Sequence, residues 1–253
     1  MTRVKICGLR DPADAQVAID AGADLLGVVF AESPRRATLE QARALRSVTG
    51  PRIELFEADT PSFDAAIDRA GRPLLVGVFA GQSADEINRI VSAVDLDVVQ
   101  LSGGEHPALV GRLTRPVIRV HHVAANEPEV VPESVVAQLT TRVAEQPSTI
   151  AALETQSEQG GGSGQTFDWS IAAAVAKEHA IMLGGGLNPE NVVRAIEAVG
   201  PWAVDVSSGV EVEKGIKDAD KIRAFVASSR SASSVSFGLG QADTGRSGTG
   251  ERV

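Results

Sequence analysis

Eight short runs rich in Val, Ile and Leu recur along this chain of 253 residues, and segments of helical period separate most of them. The runs are RVKIC (3–7), LLGVVF (25–30), LLVGVF (74–79), VVQL (98–101), VIRV (117–120), IAALE (150–154), IML (181–183) and AVDV (203–206). Strands apolar on both faces belong in a parallel sheet covered by helices. The intervening helices carry their own punctuation. Asp11-Pro12 caps and opens one that ends on Gly22, Ser83 with Glu86 spells a capping box before INRIVSAV, and Asn188-Pro189 repeats the cap-plus-proline start. Eight strands, each followed by a helix, predict an α/β fold: a single (β/α)8 TIM barrel, for which this length is ordinary. An open doubly wound sheet is the alternative, but CGLRD stands after the first strand where a dinucleotide-binding sheet carries GxGxxG.

Two connections exceed what a barrel needs. Residues 49–72 belong on the N-terminal, catalytically bland face, and residues 121–146 carry a Pro- and Glu-rich loop and then the helical pattern SVVAQLTTRVAE. The barrel is expected over residues 1–227. Residues 228–253 are Ser- and Gly-rich, too poor in apolar side chains to offset the entropy of ordering them, and are expected to be a disordered tail.

Composition narrows the function. With 24 basic against 33 acidic residues, a formal charge of -9 and no basic cluster, the chain is not expected to bind nucleic acid or an anionic membrane. No apolar run approaches the roughly 20 residues that span a bilayer, and no signal peptide is read at the start. The single cysteine rules out an internal disulfide and favours a reducing, cytoplasmic setting. A small-molecule ligand is the expected partner, for a monomer or homodimer.

In such a barrel chemistry sits at the C-terminal ends of the strands. Side chains alternate, so Lys5 and Cys7 face inward while Val4 and Ile6 pack on helices. A nearby ammonium favours a thiolate, which makes Cys7 a candidate base; a small buried hydrophobe is the equal alternative. The same alternation turns Gln100, Glu154 and Asp205 inward at the ends of strands four, six and eight. A thiol and carboxylates converging on one cavity suit proton transfer.

GGGLNPEN after strand seven and SSGVE after strand eight occupy the two places where this fold often holds a phosphate. The amides of Gly185 and Gly186, with the hydroxyls and amides of Ser207, Ser208 and Gly209, can surround an anion without any lysine. Tight turns alone would explain one such glycine pair, but two loops in the expected places favour the anion. SPRR (33–36) brings an arginine near the mouth, where its planar fork suits a carboxylate, and GGGSG (160–164) reads as a mobile cover or a plain loop. His121 and His122 point to opposite faces with no carboxylate at ligand spacing, so no metal site is expected. Trp169 and Trp202 read as packing residues.

KICGLRD, GADLLGVVF with SPR, LVGVFAGQSADEI, LDVVQLSGGE, GGSGQTFDW, LGGGLNPENV and AVDVSSGVEVEKGIKDADKI together resemble the phosphoribosylanthranilate isomerase family of tryptophan biosynthesis, in that family's order from residue 3 to about 226. The resemblance implies a cofactor-independent Amadori rearrangement of N-(5'-phosphoribosyl)anthranilate, with Cys7 as general base and Glu154 as general acid. It also implies Arg35 on the anthranilate carboxylate and the glycine and serine loops on the phosphate. Two positions depart from the family's pattern. Glu154 stands where aspartate is usual, adding one methylene, and Ser102 stands where histidine is usual. An isomerase of a similar histidine-pathway ribosyl substrate is one alternative, although that chemistry usually employs two aspartates. A non-catalytic or altered-specificity phosphosugar-binding barrel is the other.

Overall fold

The computed structural model describes residues 1–124, 133–155 and 166–238. Eight parallel strands close on themselves in chain order: β1 (Arg3–Cys7), β2 (Leu25–Val29), β3 (Leu74–Phe79), β4 (Val98–Leu101), β5 (Val117–Val123), β6 (Thr149–Thr155), β7 (Ile181–Leu183) and β8 (Ala203–Val206). The seam between β8 and β1 pairs Asp205 with Lys5, and Val204 with Val4. Around the barrel lie α1 (Pro12–Ala21), α2 (Leu39–Thr49), α3 (Thr60–Ala70), α4 (Ala84–Val94), α5 (Glu133–Ala144), α6 (Trp169–Ala176), α7 (Val192–Val199) and α8 (Ala219–Gly238). A two-stranded antiparallel hairpin, β9 (Glu211–Glu213) and β10 (Ile216–Lys217), follows β8.

Alternation along the strands separates two packing layers. Leu25, Leu74, Val76, Val98, Ile118, Val120, Ile150 and Met182 fill the barrel, whereas Ile6, Leu26, Val28, Leu75, Val99, Leu153 and Val204 face the helices. Both sets are buried, which is why the strands read as continuous apolar runs. Asp11 accepts from Ala13 N and Gly22 closes α1 in the left-handed region, as the sequence predicts. Ser83 accepts from Glu86 N at the start of α4. Asn188 caps a turn rather than the helix itself, its Oδ1 accepting from Glu190 N and Asn191 N, and regular helix begins at Val192.

Four expectations change. Residues 49–72 contain α3, capped by Asp59 and stopped by Gly71, the same signals that mark α1. Its Phe63 joins Ile53 and Leu55 in sealing the N-terminal end of the barrel and stacks edge-on against Trp202. After β4 there is only a 3-10 segment, Pro107–Arg112, in place of an α-helix. β5 continues through Val123, so His121 and His122 are strand residues. Finally, residues 228–238 are the end of α8 and not part of a disordered tail. Arg230 anchors this stretch by donating to the Thr2 carbonyl at 2.9 Å and to Asp24 at 2.6 Å, and Ala232 is buried. Ion pairing and one buried alanine do there what apolar content does elsewhere. The rest of the expected tail, 239–253, lies outside the described residues.

The N-terminal face is held by Asp97. Fully buried, its carboxylate accepts from Arg46 at 2.6 Å, Ile53 N at 2.6 Å and Leu75 N at 2.7 Å, tying α2, the connection before α3, and β3 to one point. Asp97→Ala leaves a buried guanidinium and two amides without this acceptor, and should cost about 3–5 kcal/mol. Urea unfolding measures it; a loss below about 1 kcal/mol would show that the cluster does not organise this face.

Candidate active site

The C-terminal mouth gathers one set of polar side chains. Cys7, Arg35, Gln100, His122, Glu154, Asp205, Ser207 and Ser208 line a single cavity, together with Gly185 and Gly186. A roomier groove, about 880 Å³, lies outside the barrel between α5 and α6, but no such convergent set of charges lines it. Alternation is what brings the inward residues together. Cys7 ends β1 beside Val29, Ala31 and Val78, Gln100 sits on β4, Glu154 on β6 and Asp205 on β8.

The central contact is an ion pair. Lys5 is fully buried and its Nζ donates to Asp205 Oδ2 at 2.9 Å. Burial disfavours the ammonium, but Asp205 and Cys7 more than offset this and hold Lys5 above the ordinary lysine range. For Cys7 burial is the largest influence and pushes the thiol up; Lys5 pulls it down, and Asp205 pushes it up again. Lys5 does act to favour the thiolate, as the sequence suggests, but burial and Asp205 outweigh it and the net shift is upward. Glu154 is also raised, first by burial and then by the charge of Asp205, against the opposing influence of His122, Lys5 and Arg35.

Arg35 stands at the mouth, but one side of its guanidinium is taken. Nε and one Nη donate to the two oxygens of Glu211 at 2.7 and 2.8 Å, and Lys217 donates to the same carboxylate at 2.9 Å. Burial alone would raise Glu211, but its bonds to Arg35 and Lys217 hold it down at about 2. Of the five N–H groups of a guanidinium, three remain for a ligand.

The two glycine and serine loops meet at the mouth as well, and Lys217 also donates to the Ser207 carbonyl at 2.9 Å. Gly185 and Gly186 both take positive φ, 84° and 66°. Gly209 does not line the cavity; a Cβ there would fall 1.9 Å from the Leu187 carbonyl oxygen, so it is where the loops touch. Ser207 Oγ, Gln100 Oε1 and Asp205 Oδ1 are buried with no hydrogen-bond partner among the described residues, leaving polar valences open at the cavity. The GGGSG segment lies outside the described residues. Among those described, no three His, Cys, Asp or Glu side chains are placed to hold a metal ion, and no helix is long and apolar enough to cross a membrane.

Sequence reasoning missed four residues of this site. Glu211 and Lys217 left no local signal, since Glu211 meets Arg35 across 176 positions. His122 was set aside because no carboxylate stands at ligand spacing along the chain; its pairing with Glu154 across β5 and β6 is non-local. Gly27 did leave a signal, a glycine inside an apolar strand, which often marks a close approach. A Cβ there would lie 2.7 Å from Cys7 Sγ and 3.1 Å from its Cα.

Comparison with known proteins assigns the family. The model for N-(5'-phosphoribosyl)anthranilate (PRA) isomerase matches residues 58–228. A protein named N-(5'-phosphoribosyl)anthranilate isomerase from Dehalococcoides mccartyi is 42% identical over 228 residues, covering 89% of this chain and 94% of the relative. The chain belongs to the N-(5'-phosphoribosyl)anthranilate isomerase family. The Roseiflexus castenholzii isomerase is 39% identical, covering 90% of this chain and 98% of its own. The crystal structure of the Thermotoga maritima isomerase superposes with a TM-score of 0.73 at 33% identity, covering 91% of this chain and all of that one. Another isomerase structure, at TM-score 0.70 and 31% identity over the same shares, holds reduced 1-(o-carboxyphenylamino)-1-deoxyribulose 5-phosphate.

Within the family fold, Gly27 is the floor under the thiol. Gly27→Ala should cost about 1–3 kcal/mol through overpacking against backbone that cannot yield, whereas Gly111→Ala, with nothing within 4 Å of its Cβ, should not. Equal unfolding midpoints for both variants would contradict the crowding at Cys7.

Proposed function

We propose that the chain converts N-(5'-phosphoribosyl)anthranilate to 1-(2-carboxyphenylamino)-1-deoxyribulose 5-phosphate, a step of tryptophan biosynthesis. The family membership supports the substrate, and one observation carries the mechanism: Cys7 and Glu154 line one cavity with Asp205 and its Lys5 partner. In this reading Glu154 gives its proton to the furanose ring oxygen, the ring C–O bond breaks, and an iminium forms at C1. The Cys7 thiolate then takes the proton from C2, and the C–H electrons become the C1=C2 bond of an enamine. C1 takes the proton held by Cys7, which restores the thiolate, and the C2 hydroxyl releases its proton to solvent as the ketone forms. C1 is reduced as C2 is oxidised, so the rearrangement requires no external oxidant or reductant.

The remaining residues bind. Gly185, Gly186, Ser207 and Ser208 are proposed to hold the phosphate by main-chain amides and hydroxyls, with Gly209 keeping the loops together. The free edge of Arg35 takes the anthranilate carboxylate, and Gln100 Oε1 and Asp205 Oδ1 take sugar hydroxyls. The free thiol fits a cytoplasmic setting. A monomer or homodimer is the proposed assembly, since a Thermotoga maritima relative is described as dimeric.

Two measurements test the mechanism, both following loss of fluorescence from enzymatically generated substrate. Cys7→Ala should lower turnover by about 10²–10⁴-fold with the unfolding midpoint unchanged; full activity would remove the thiol from the reaction. The second reads the pH profile of kcat/KM. The reactive form needs a thiolate and a protonated carboxyl, so its population peaks midway between the two pKa values whichever is higher. For unperturbed groups that midpoint is about pH 6.4. Both groups are raised here, so the optimum lies alkaline of it. Asp205→Asn removes a charge that raises both, and the optimum should move toward acid whatever the loss of rate. An unmoved optimum would contradict the assignment.

A further inference from the structure

His122 ends the inward face of β5, and its Nε2 lies 2.9 Å from the carbonyl oxygen of Ser102. A carbonyl only accepts, so Nε2 carries a hydrogen and Nδ1 is the edge left to take or give a proton. The β5–β6 register pairs His122 directly with Glu154, and residues so paired in a parallel sheet project to the same face. Both line the cavity, and the imidazole is exposed whereas the carboxyl is half-buried. The other charged groups acting on Glu154 are Asp205 from β8, Lys5 from β1 and Arg35 from the loop after β2. Each has a task already. Apart from Glu32, whose carboxylate holds Arg36, His122 is the titratable group of this cavity that the rearrangement leaves unused.

The chemistry leaves a proton to be replaced. Ring opening moves the Glu154 proton to the sugar, and the next substrate needs that carboxyl protonated again. Among the described residues, the exposed partner nearest in register to this half-buried carboxylate is the imidazole. We propose that His122 is a positioning residue acting through Glu154, whose imidazole collects a proton from solvent and returns it to the Glu154 carboxylate after each ring opening. An N–H bond of the imidazolium breaks, an O–H bond forms on Glu154, and the neutral ring is reprotonated by water or buffer. The proton lost from the C2 hydroxyl leaves to solvent and balances the one returned. The bond from Nε2 to Ser102 fixes the ring so that its other edge does this exchange. The inference rests on Glu154 being the acid of the proposed reaction.

Two variants separate proton return from mere support. His122→Gln keeps an N–H for the Ser102 carbonyl but cannot titrate in this range; His122→Ala opens space for a small base. Both should lower kcat by about tenfold, below the 10²–10⁴ of a group in direct proton transfer, with KM within about twofold of wild type. Added imidazole should restore most of the kcat of His122→Ala and leave wild type and His122→Gln unchanged. Wild-type kcat in His122→Gln, or no response of His122→Ala to imidazole, overturns the inference while wild-type isomerase activity stands. Absence of wild-type turnover would overturn the reaction itself and this inference with it.

Discussion

The ion pair between Lys5 and Asp205 is the constraint on which the rest of the mouth depends. It lies at the seam where the last strand of the barrel meets the first, and both partners point inward in direct register. A buried ammonium without its carboxylate would carry a large desolvation cost, so the pair requires β1 and β8 to meet in this register and no other. It also fixes the electrostatics of the two groups proposed to move protons. Lys5 pulls Cys7 and Glu154 down, Asp205 pushes both up, and burial tips the balance upward. Thus the thiol and the carboxyl are both held toward their protonated forms.

The two ends of the barrel solve different problems. At the N-terminal end, Asp97 and Asp24 spend their oxygens on backbone amides and arginines, and the result is closure. At the C-terminal end, Gln100, Asp205 and Ser207 keep oxygens without a partner among the described residues, and the glycine loops keep their backbone close to the cavity. Arg35 belongs to both patterns. One edge is locked by Glu211 and Lys217, which fixes the guanidinium against rotation, and the other edge faces the mouth. Preorganised groups of this kind need not reorganise when charge develops on a ligand.

Much of this was legible in the sequence because two periodicities carry it. The repeat of apolar runs located all eight strands, and strict alternation within them placed Cys7, Gln100, Glu154 and Asp205 on the inner face. What escaped was non-local. The partner of Arg35 is supplied by a hairpin far along the chain, and the net effect on Cys7 depends on burial and Asp205 as well as on Lys5. The end of α8 escaped for a related reason, since one arginine reaching Thr2 and Asp24 orders a stretch whose composition argues for disorder. His122 meets Glu154 across β5 and β6, a contact that spacing along the chain does not show. The carbonyl of Ser102 meets the ring of His122, so an imidazole stands over this corner of the mouth.

The central claim is that burial and Asp205 outweigh Lys5 at Cys7, so that Cys7 is not a resident thiolate. Ultraviolet titration of the native chain reads this directly, because Cys7 is the sole cysteine and the sequence contains no tyrosine to absorb as it ionises. The thiolate band should appear with a midpoint above the ordinary thiol value of about 8.5. A band already complete at neutral pH would contradict the account.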